Sequence, residues 1–337
     1  MKPTNFHNTL INFLTKYLVN ERGVSSNTLS SYSDTFKLLI IFMDKKKKIP
    51  LKKLIINDFT KDNILEFLDY IEIERKCSVS TRNARLAAIK SYFKYIQYID
   101  ILNILETQKI LSIRIKKHKK LGVEYLTVDA MKAILQQPDV STKQGIRDLA
   151  LLSLLYDSAA RVSEMINLET NMVRLNGPFK LKLLGKGNVY RPIPVVDAQT
   201  KHLKYYMKIF GLDKNHTQQY PLFSNNRGEK FSRAGISNIL KKYVDLARKN
   251  TSVIFPDKVT CHTIRHTRAM HLLQNGVDLV IIRSILGHVS VTTTEIYARA
   301  DTKQKREAIE SAYININPKE TPLWSNNDSL ITFLNNL

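Results

Sequence analysis

The segment from Cys261 to Arg299 concentrates side chains that move protons or hold anions. It carries four of the eight histidines (His262, His266, His271 and His288), four arginines, and Tyr297 near its end. Two chemistries compete for such a set. In the first, His262 and His266, four residues apart, would share a zinc ion. Yet no cysteine or carboxylate lies between them, and Arg265 would set a fixed cation beside the ion, so no metal is expected. The second chemistry is transfer of a phosphoryl group without metal. It needs fixed positive charge for the nonbridging oxygens, a nucleophile, and an acid for the departing oxygen. Arginine stays protonated and offers a fork of donors that matches phosphate. Histidine moves protons near neutral pH, and tyrosine forms covalent phosphoesters where cations offset its high pKa.

Upstream segments supply what this stretch lacks. "YDSAARVSEMINLE" brings Arg161 with Glu164 three residues on, and "LLGKGN" sets Lys186 between two glycines at an expected hairpin tip. Alone, each reads as a solvated surface residue; their order and spacing relative to the final cluster change that. The combination "ARVSEMINL", "LLGKGNVYRPIPV", "HTIRH", "LGH" and "TTTEIYAR" resembles the tyrosine recombinases of the phage integrase family.

That resemblance implies that Tyr297 attacks a scissile DNA phosphate, forming a 3′-phosphotyrosyl link and freeing a 5′-hydroxyl. It implies that Arg161 and Arg265 clamp the nonbridging oxygens and that Lys186 protonates the leaving oxygen. His262 and His288 would assist by proton transfer and hydrogen bonding, and Glu164 would support the pocket behind Arg161. Neither ATP, metal nor any other cofactor is implied. The implied partner is double-stranded DNA with specific recombination sites. A homotetramer would exchange strands through a four-way junction, and accessory proteins from the same element remain open. Two departures stand out: Ala160 occupies a position usually held by glycine and Val189 one often basic; His266 follows Arg265, where family members often have histidine too, and is expected to be structural. His202 and His271 are expected on helix surfaces.

The elements that must position these residues are mostly helical. "HTIRHTRAMHLLQNG" reads as a helix stopped at Gly276, with His262, Arg265 and His266 near one face. "VDLVIIRSILG" reads as a second, capped by Asp278 and stopped at Gly287, and "SVTTTEIYAR" begins a third in which Thr292 and Glu295 have capping-box spacing. "LTVDAMKAILQQ" predicts a helix capped by Thr127 or Asp129, with a more apolar helix over 146–156. "FKLKLLGKGNVYRPIPV" changes to a two-residue period and predicts a hairpin, with Pro192 and Pro194 suiting an edge strand. In the first hundred residues, Leu29, Tyr32, Phe36 and Leu39 repeat at helical spacing, as do Leu86, Ile89, Phe93 and Ile96, and a third helix is expected over 61–74. Tyr92 and Tyr95 read as core residues.

The expected fold is therefore mainly α with a small β-sheet: a helical core-binding domain over 1–105, a basic linker over 106–125, and an α+β catalytic domain over 126–337. The tail, with Leu330, Phe333, Leu334 and Leu337 at helical spacing, predicts a terminal helix docked in cis or in trans. About twenty residues precede the first convincing helix, which points to a simple two-domain enzyme.

Charge agrees with a polyanionic partner. The 337 residues hold 52 Lys and Arg against 30 Asp and Glu, a formal net charge of +22. The excess is +7 over 1–103, +4 over 104–125 and +11 over 126–337, so both halves would be drawn to phosphate. Arg82, Arg85, Lys90 and Lys94 fit either a solvated or a phosphate-contacting face, and Lys116 and Lys117 lie in the basic linker. A membrane binder would concentrate charge in one amphipathic helix, and no apolar run approaches a membrane span. Two cysteines allow no disulfide framework, and no secretory signal opens the chain, so a cytoplasmic, nucleoid-associated protein is expected. Readings as a type IB topoisomerase, a telomere resolvase, a catalytically inert DNA-binding accessory protein or a zinc hydrolase fit less of the pattern. Transposon recombinase, element integrase and chromosome-dimer resolvase stay open.

Overall fold

The structure, a computed structural model, describes residues 4–117, 122–174, 180–185, 189–194, 197–214, 219–287, 294–297, 332 and 334–336, with 197–199 described by backbone alone. It divides into two compact units, 1–121 and 122–337.

The first unit is a helical bundle. Helix α1 (Asn5–Asn12) runs on as a more widely wound segment (Phe13–Glu21). It is followed by α2 (Ser26–Lys47), α3 (Lys61–Asp69) with its extension Tyr70–Glu74, α4 (Val79–Ile96) and α5 (Ile104–Leu111). Ser25, Thr60 and Ser78 each accept a backbone N–H three residues on, caps worth about 1 kcal/mol apiece. Phe36 and Leu39 of α2 meet Leu86, Ile89, Phe93 and Ile96 of α4 in one core, as their spacing predicts. Tyr92 is central to it: its ring meets Phe13 and Phe36 edge-on at 5.3 and 5.2 Å, and its hydroxyl lies 2.7 Å from Thr9 Oγ1. The tyrosine packs; it does not stack on bases.

Two differences from the sequence reading appear here. The twenty residues ahead of the first expected helix are themselves helical, with Phe6, Phe13 and Leu18 buried. The expected linker begins inside α5, whose Ile110 is buried, and Ile113 beyond it is buried too. The basic run that follows masks this short apolar repeat.

The second unit contains α6 (Val128–Leu135), α7 (Lys143–Asp157), α8 (Val162–Ile166), α9 (Asp197–Ile209), α10 (Arg233–Asn250), α11 (Cys261–Gln274) and α12 (Leu279–Leu286). Thr127 caps α6, and residues 294–297 form a further helical turn. The sheet is antiparallel, in order β1 (Val173–Arg174), β2 (Lys180–Leu184), β3 (Tyr190–Pro194). Strand β1 is too short to show a period in sequence. Leu181, Leu183 and Ile193 face the core. Pro192, opposite Lys182, lacks a ladder N–H and is tolerated because β3 is an outer strand.

Helix α11 is packed on two sides. Cys261 and Ile264 join the main core with Leu151, Leu155 and the sheet. Ala269, Met270 and Leu273 join a smaller core with Ile282, Leu286, Ala159 and Tyr297. A helix held on both sides is a rigid mount for the polar side chains at its N-terminal half. Among the described residues no helix is long and apolar enough to cross a membrane. Lys186, His288, Thr292 and most of the C-terminal tail lie outside the described residues; Leu334 of that tail is exposed.

Candidate active site

Helix α12 ends where its carbonyls run out of helical partners, and there they carry the negative end of the helix dipole. Three successive carbonyls at that end each accept from a different arginine. Arg191 Nε on β3 donates to Ile285 O at 3.0 Å, Arg265 Nη2 on α11 donates to Leu286 O, and Arg161 Nη2 donates to Gly287 O at 3.2 Å. Gly287 itself is left-handed (φ +61°), and a Cβ there would lie 3.0 Å from the Arg191 side chain. Both the backbone and the crowding call for glycine.

One carboxylate organises two of these cations. Arg161 is the N-cap of α8, and its backbone N–H donates to Glu164 Oε2 at 2.7 Å while its Nη1 donates to Oε1 at 2.9 Å. Arg191 grips the same carboxylate with both terminal nitrogens, each at 2.7 Å. Burial would raise the Glu164 pKa, but these bonds outweigh it and hold the carboxyl below its usual range. The Arg161 side chain keeps 36% of its surface exposed, so it alone of the three opens substantially to solvent.

Arg265 is 1% exposed, and its other terminal nitrogen donates to Ala159 O at 2.6 Å. Burial, then the neighbouring Arg161, pushes its pKa down to about 10, which leaves it charged at neutral pH. Ala159 takes a positive φ of 48°, an uncommon conformation for a residue with a Cβ. The family-atypical alanine at 160 follows it, fully buried and outside any helix.

Tyr297 is fully buried in the smaller core. Burial pushes its pKa up to about 12, against the pull of Arg265 and Arg161. Its hydroxyl lies 2.8 Å from His266 Nδ1. His262, whose ring centre is 4.2 Å from that of His266, stays open to solvent as a residue; partial desolvation of its ring, then Arg265 and Arg161, lower its pKa. The site thus brings together Arg161, Glu164, Arg265 and Tyr297, with His262 beside them, from segments more than a hundred residues apart.

Arg191 was not singled out in the sequence, and His266 was expected to be structural. For Arg191 a signal existed: strand alternation puts it on the face of buried Ile193, where an arginine needs an acid. His266 had only its nearness to His262 and Arg265. His271, expected on a surface, is buried: its Nε2 donates to Leu126 O at 3.0 Å, so its Nδ1 accepts from the Tyr156 hydroxyl at 2.8 Å. Both ring nitrogens are satisfied, which is what makes burial affordable.

The expected DNA contacts of the first unit fare unevenly. Arg82 is 7% exposed and faces Glu72 at 3.4 Å, so its charge is answered inside the unit rather than offered to phosphate. Arg85 donates to Ser31 O and Thr35 Oγ1, both at 3.0 Å. Lys116 pairs with Glu72 at 2.7 Å. Lys90 is half-buried and Lys117 exposed.

These features, three arginines gathered around one carboxylate and one helix end beside a buried tyrosine, are carried on a mainly helical unit with a small sheet. The phage integrase family profile matches residues 124–304, and that of the phage integrase N-terminal SAM-like domain matches 10–102. The chain belongs to the phage integrase family and is a tyrosine-type site-specific recombinase. It is 33% identical over 330 residues to the y4rC protein of Sinorhizobium fredii, covering 97% of each chain. It is 30% identical over 301 residues to tyrosine recombinase XerD of Halalkalibacterium halodurans, covering 89% of this chain and 94% of that one. The Tn1549 transposon integrase, solved in complex with transposon right end DNA, shares the fold with a TM-score of 0.68 at 18% identity, over 90% of this chain and 99% of that one.

Proposed function

We propose that the protein cleaves and rejoins double-stranded DNA at specific sites through a 3′-phosphotyrosyl intermediate on Tyr297. Arg161 and Arg265 bind the nonbridging oxygens and stabilise the charge that builds as Tyr297 attacks. Glu164 and Arg191 hold Arg161 in place. Lys186, in the segment between β2 and β3, protonates the departing 5′ oxygen, and His262 and His288 hydrogen-bond the phosphate and relay protons. The link to tyrosine conserves the phosphodiester energy, so the reading assigns no ATP and no metal.

The observation that carries this reading is the convergence of Arg161, Arg191 and Arg265 on the end of α12, with Glu164 as the carboxylate that binds two of them. The surplus positive charge suits an anion with at least two oxygens, and Tyr297 feels both Arg265 and Arg161. Two successive strand exchanges on a homotetramer, through a Holliday junction, would complete recombination. The setting we assign is integration, excision or transposition of a mobile element in the cytoplasm, with accessory proteins of that element as candidate partners. The Lys-, Asn- and Ile-rich composition, typical of AT-rich genomes, supports that setting.

The test uses nicked suicide duplexes carrying sequence from beside the gene, incubated with the protein in EDTA. A covalent protein–DNA band that disappears with Tyr297→Phe is the expected result. A band that persists in the variant, or none on DNA that the protein binds, overturns the reading.

A further inference from the structure

Under that reading, Tyr297 must lose its proton as its oxygen bonds to phosphorus, and that proton needs an acceptor within hydrogen-bond reach. The geometry points to His266 as the group that takes it: Nδ1 accepts the Tyr297 Oη proton during cleavage and returns it during religation. This rests on the proposed function above and adds a catalytic residue to it.

The contact is direct. His266 Nδ1 and Tyr297 Oη are 2.8 Å apart, the separation of a good hydrogen bond, and the rings meet at 61° with centres 5.5 Å apart. Both partners are held in place. Tyr297 is locked in the small core with Met270, Leu273, Ile282 and Leu286, and His266 rides on the N-terminal half of α11, which is packed on two sides. His262 is exposed, with its ring centre 4.2 Å from that of His266. The side chain after Arg265 is therefore the one in contact with the reacting oxygen.

The charge state suits the role. Burial, then His262 and Arg265, hold the His266 pKa down at about 4, so the ring is neutral and an acceptor throughout the neutral range. Tyr297, at about 12, gives up no proton to so weak a base at rest. Transfer becomes favourable only as the phenol oxygen bonds to phosphorus and its proton turns acidic, and the incoming phosphate, an anion, raises the imidazole's basicity. The nucleophile is thus activated only when DNA is present. The balance is closed. The Tyr297 O–H bond breaks and its proton goes to Nδ1, the O–P bond forms, and the P–O5′ bond breaks with Lys186 protonating the 5′ oxygen. Religation runs the same transfers backwards.

The test measures single-turnover cleavage by the full-length protein on a suicide duplex that the wild type cleaves, with a 5′-bridging oxygen or a 5′-bridging sulfur at the scissile phosphate. Thiolate leaves without an acid, so sulfur rescues defects in leaving-group protonation but not in nucleophile activation. His266→Asn keeps a hydrogen-bonding atom near the Nδ1 position without its basicity; His266→Phe removes both. With circular dichroism and DNA affinity unchanged, His266→Asn is expected to slow cleavage of both substrates by about 100-fold, the scale of a general base. Wild-type rates in His266→Asn, a defect only in His266→Phe, rescue by sulfur, or faster cleavage would each overturn the assignment while leaving Tyr297 as nucleophile. A Tyr297→Phe variant that still formed the covalent band would instead overturn the reading beneath it.

Discussion

Arg82 in the first unit and Arg265 in the second are both buried, and the two are used in opposite ways. In the first unit Arg82 faces Glu72, which also binds Lys116, so acid and base meet within one local network. In the second, Arg265 is more deeply buried, and its hydrogen bonds go to two carbonyl oxygens, those of Ala159 and Leu286. Glu164, the nearby acid, is already engaged by Arg161 and Arg191. Carbonyls satisfy the N–H donors but do not cancel the charge. A positive potential is left standing in a poorly hydrated place, where it acts on an anion more strongly than it would in water. A buried cation marks a site when its neighbours hold it without neutralising it.

The largest consequence concerns Arg265. Replacing it with lysine keeps the charge but loses the fork that spans two carbonyls and leaves donors to spare, so covalent-product formation should fall by about 10³-fold. Single-turnover cleavage at saturating protein measures this, and a near-wild-type rate would break the contrast. Glu164→Gln comes next. It retains hydrogen bonding but removes the charge that pins Arg161 and Arg191, so cleavage should slow by about 10-fold and urea stability drop by about 1–3 kcal/mol. A stability loss without a rate loss would make Glu164 structural only. Smallest in activity is Arg82→Met. Cleavage and DNA affinity should stay within about 2-fold, while stability falls by about 1–3 kcal/mol, because Glu72 keeps Lys116 as a partner. A large loss of DNA affinity would show that Arg82 reaches phosphate after all.

Much of the scaffold was legible in the sequence. The helices α2, α4, α6, α7, α11 and α12 follow apolar spacing, and Thr127, Asp278 and Gly287 cap as their types predict. The hairpin arms around residues 185–189 follow from alternation and glycine. What was not legible has specific causes. The N-terminal helical segment buries only Phe6, Phe13 and Leu18, and α5 is short. Arg82 looks the same in sequence as an exposed arginine on an amphipathic helix; only the position of Glu72 decides otherwise. His271 reads as a surface residue until Leu126 O and Tyr156 Oη are placed on either side of it. Arg191 was passed over because a cation in a strand beside a hairpin tip is ordinarily solvated.

The sequence alone determined the kinds of chemistry available: the arginines, a tyrosine and histidines at spacings that helices bring to one side, and a surplus of positive charge. Those properties are local, set by residue type and by the 3.6- and 2-residue periods. The tertiary structure decided which groups meet. Arg161 reaches Gly287 across 126 positions, Arg265 reaches Ala159 across 106, and Tyr297 finds His266 across 31. Desolvation and pairing depend on neighbours in space, and only the packed chain sets which cations are neutralised and which are left for a ligand.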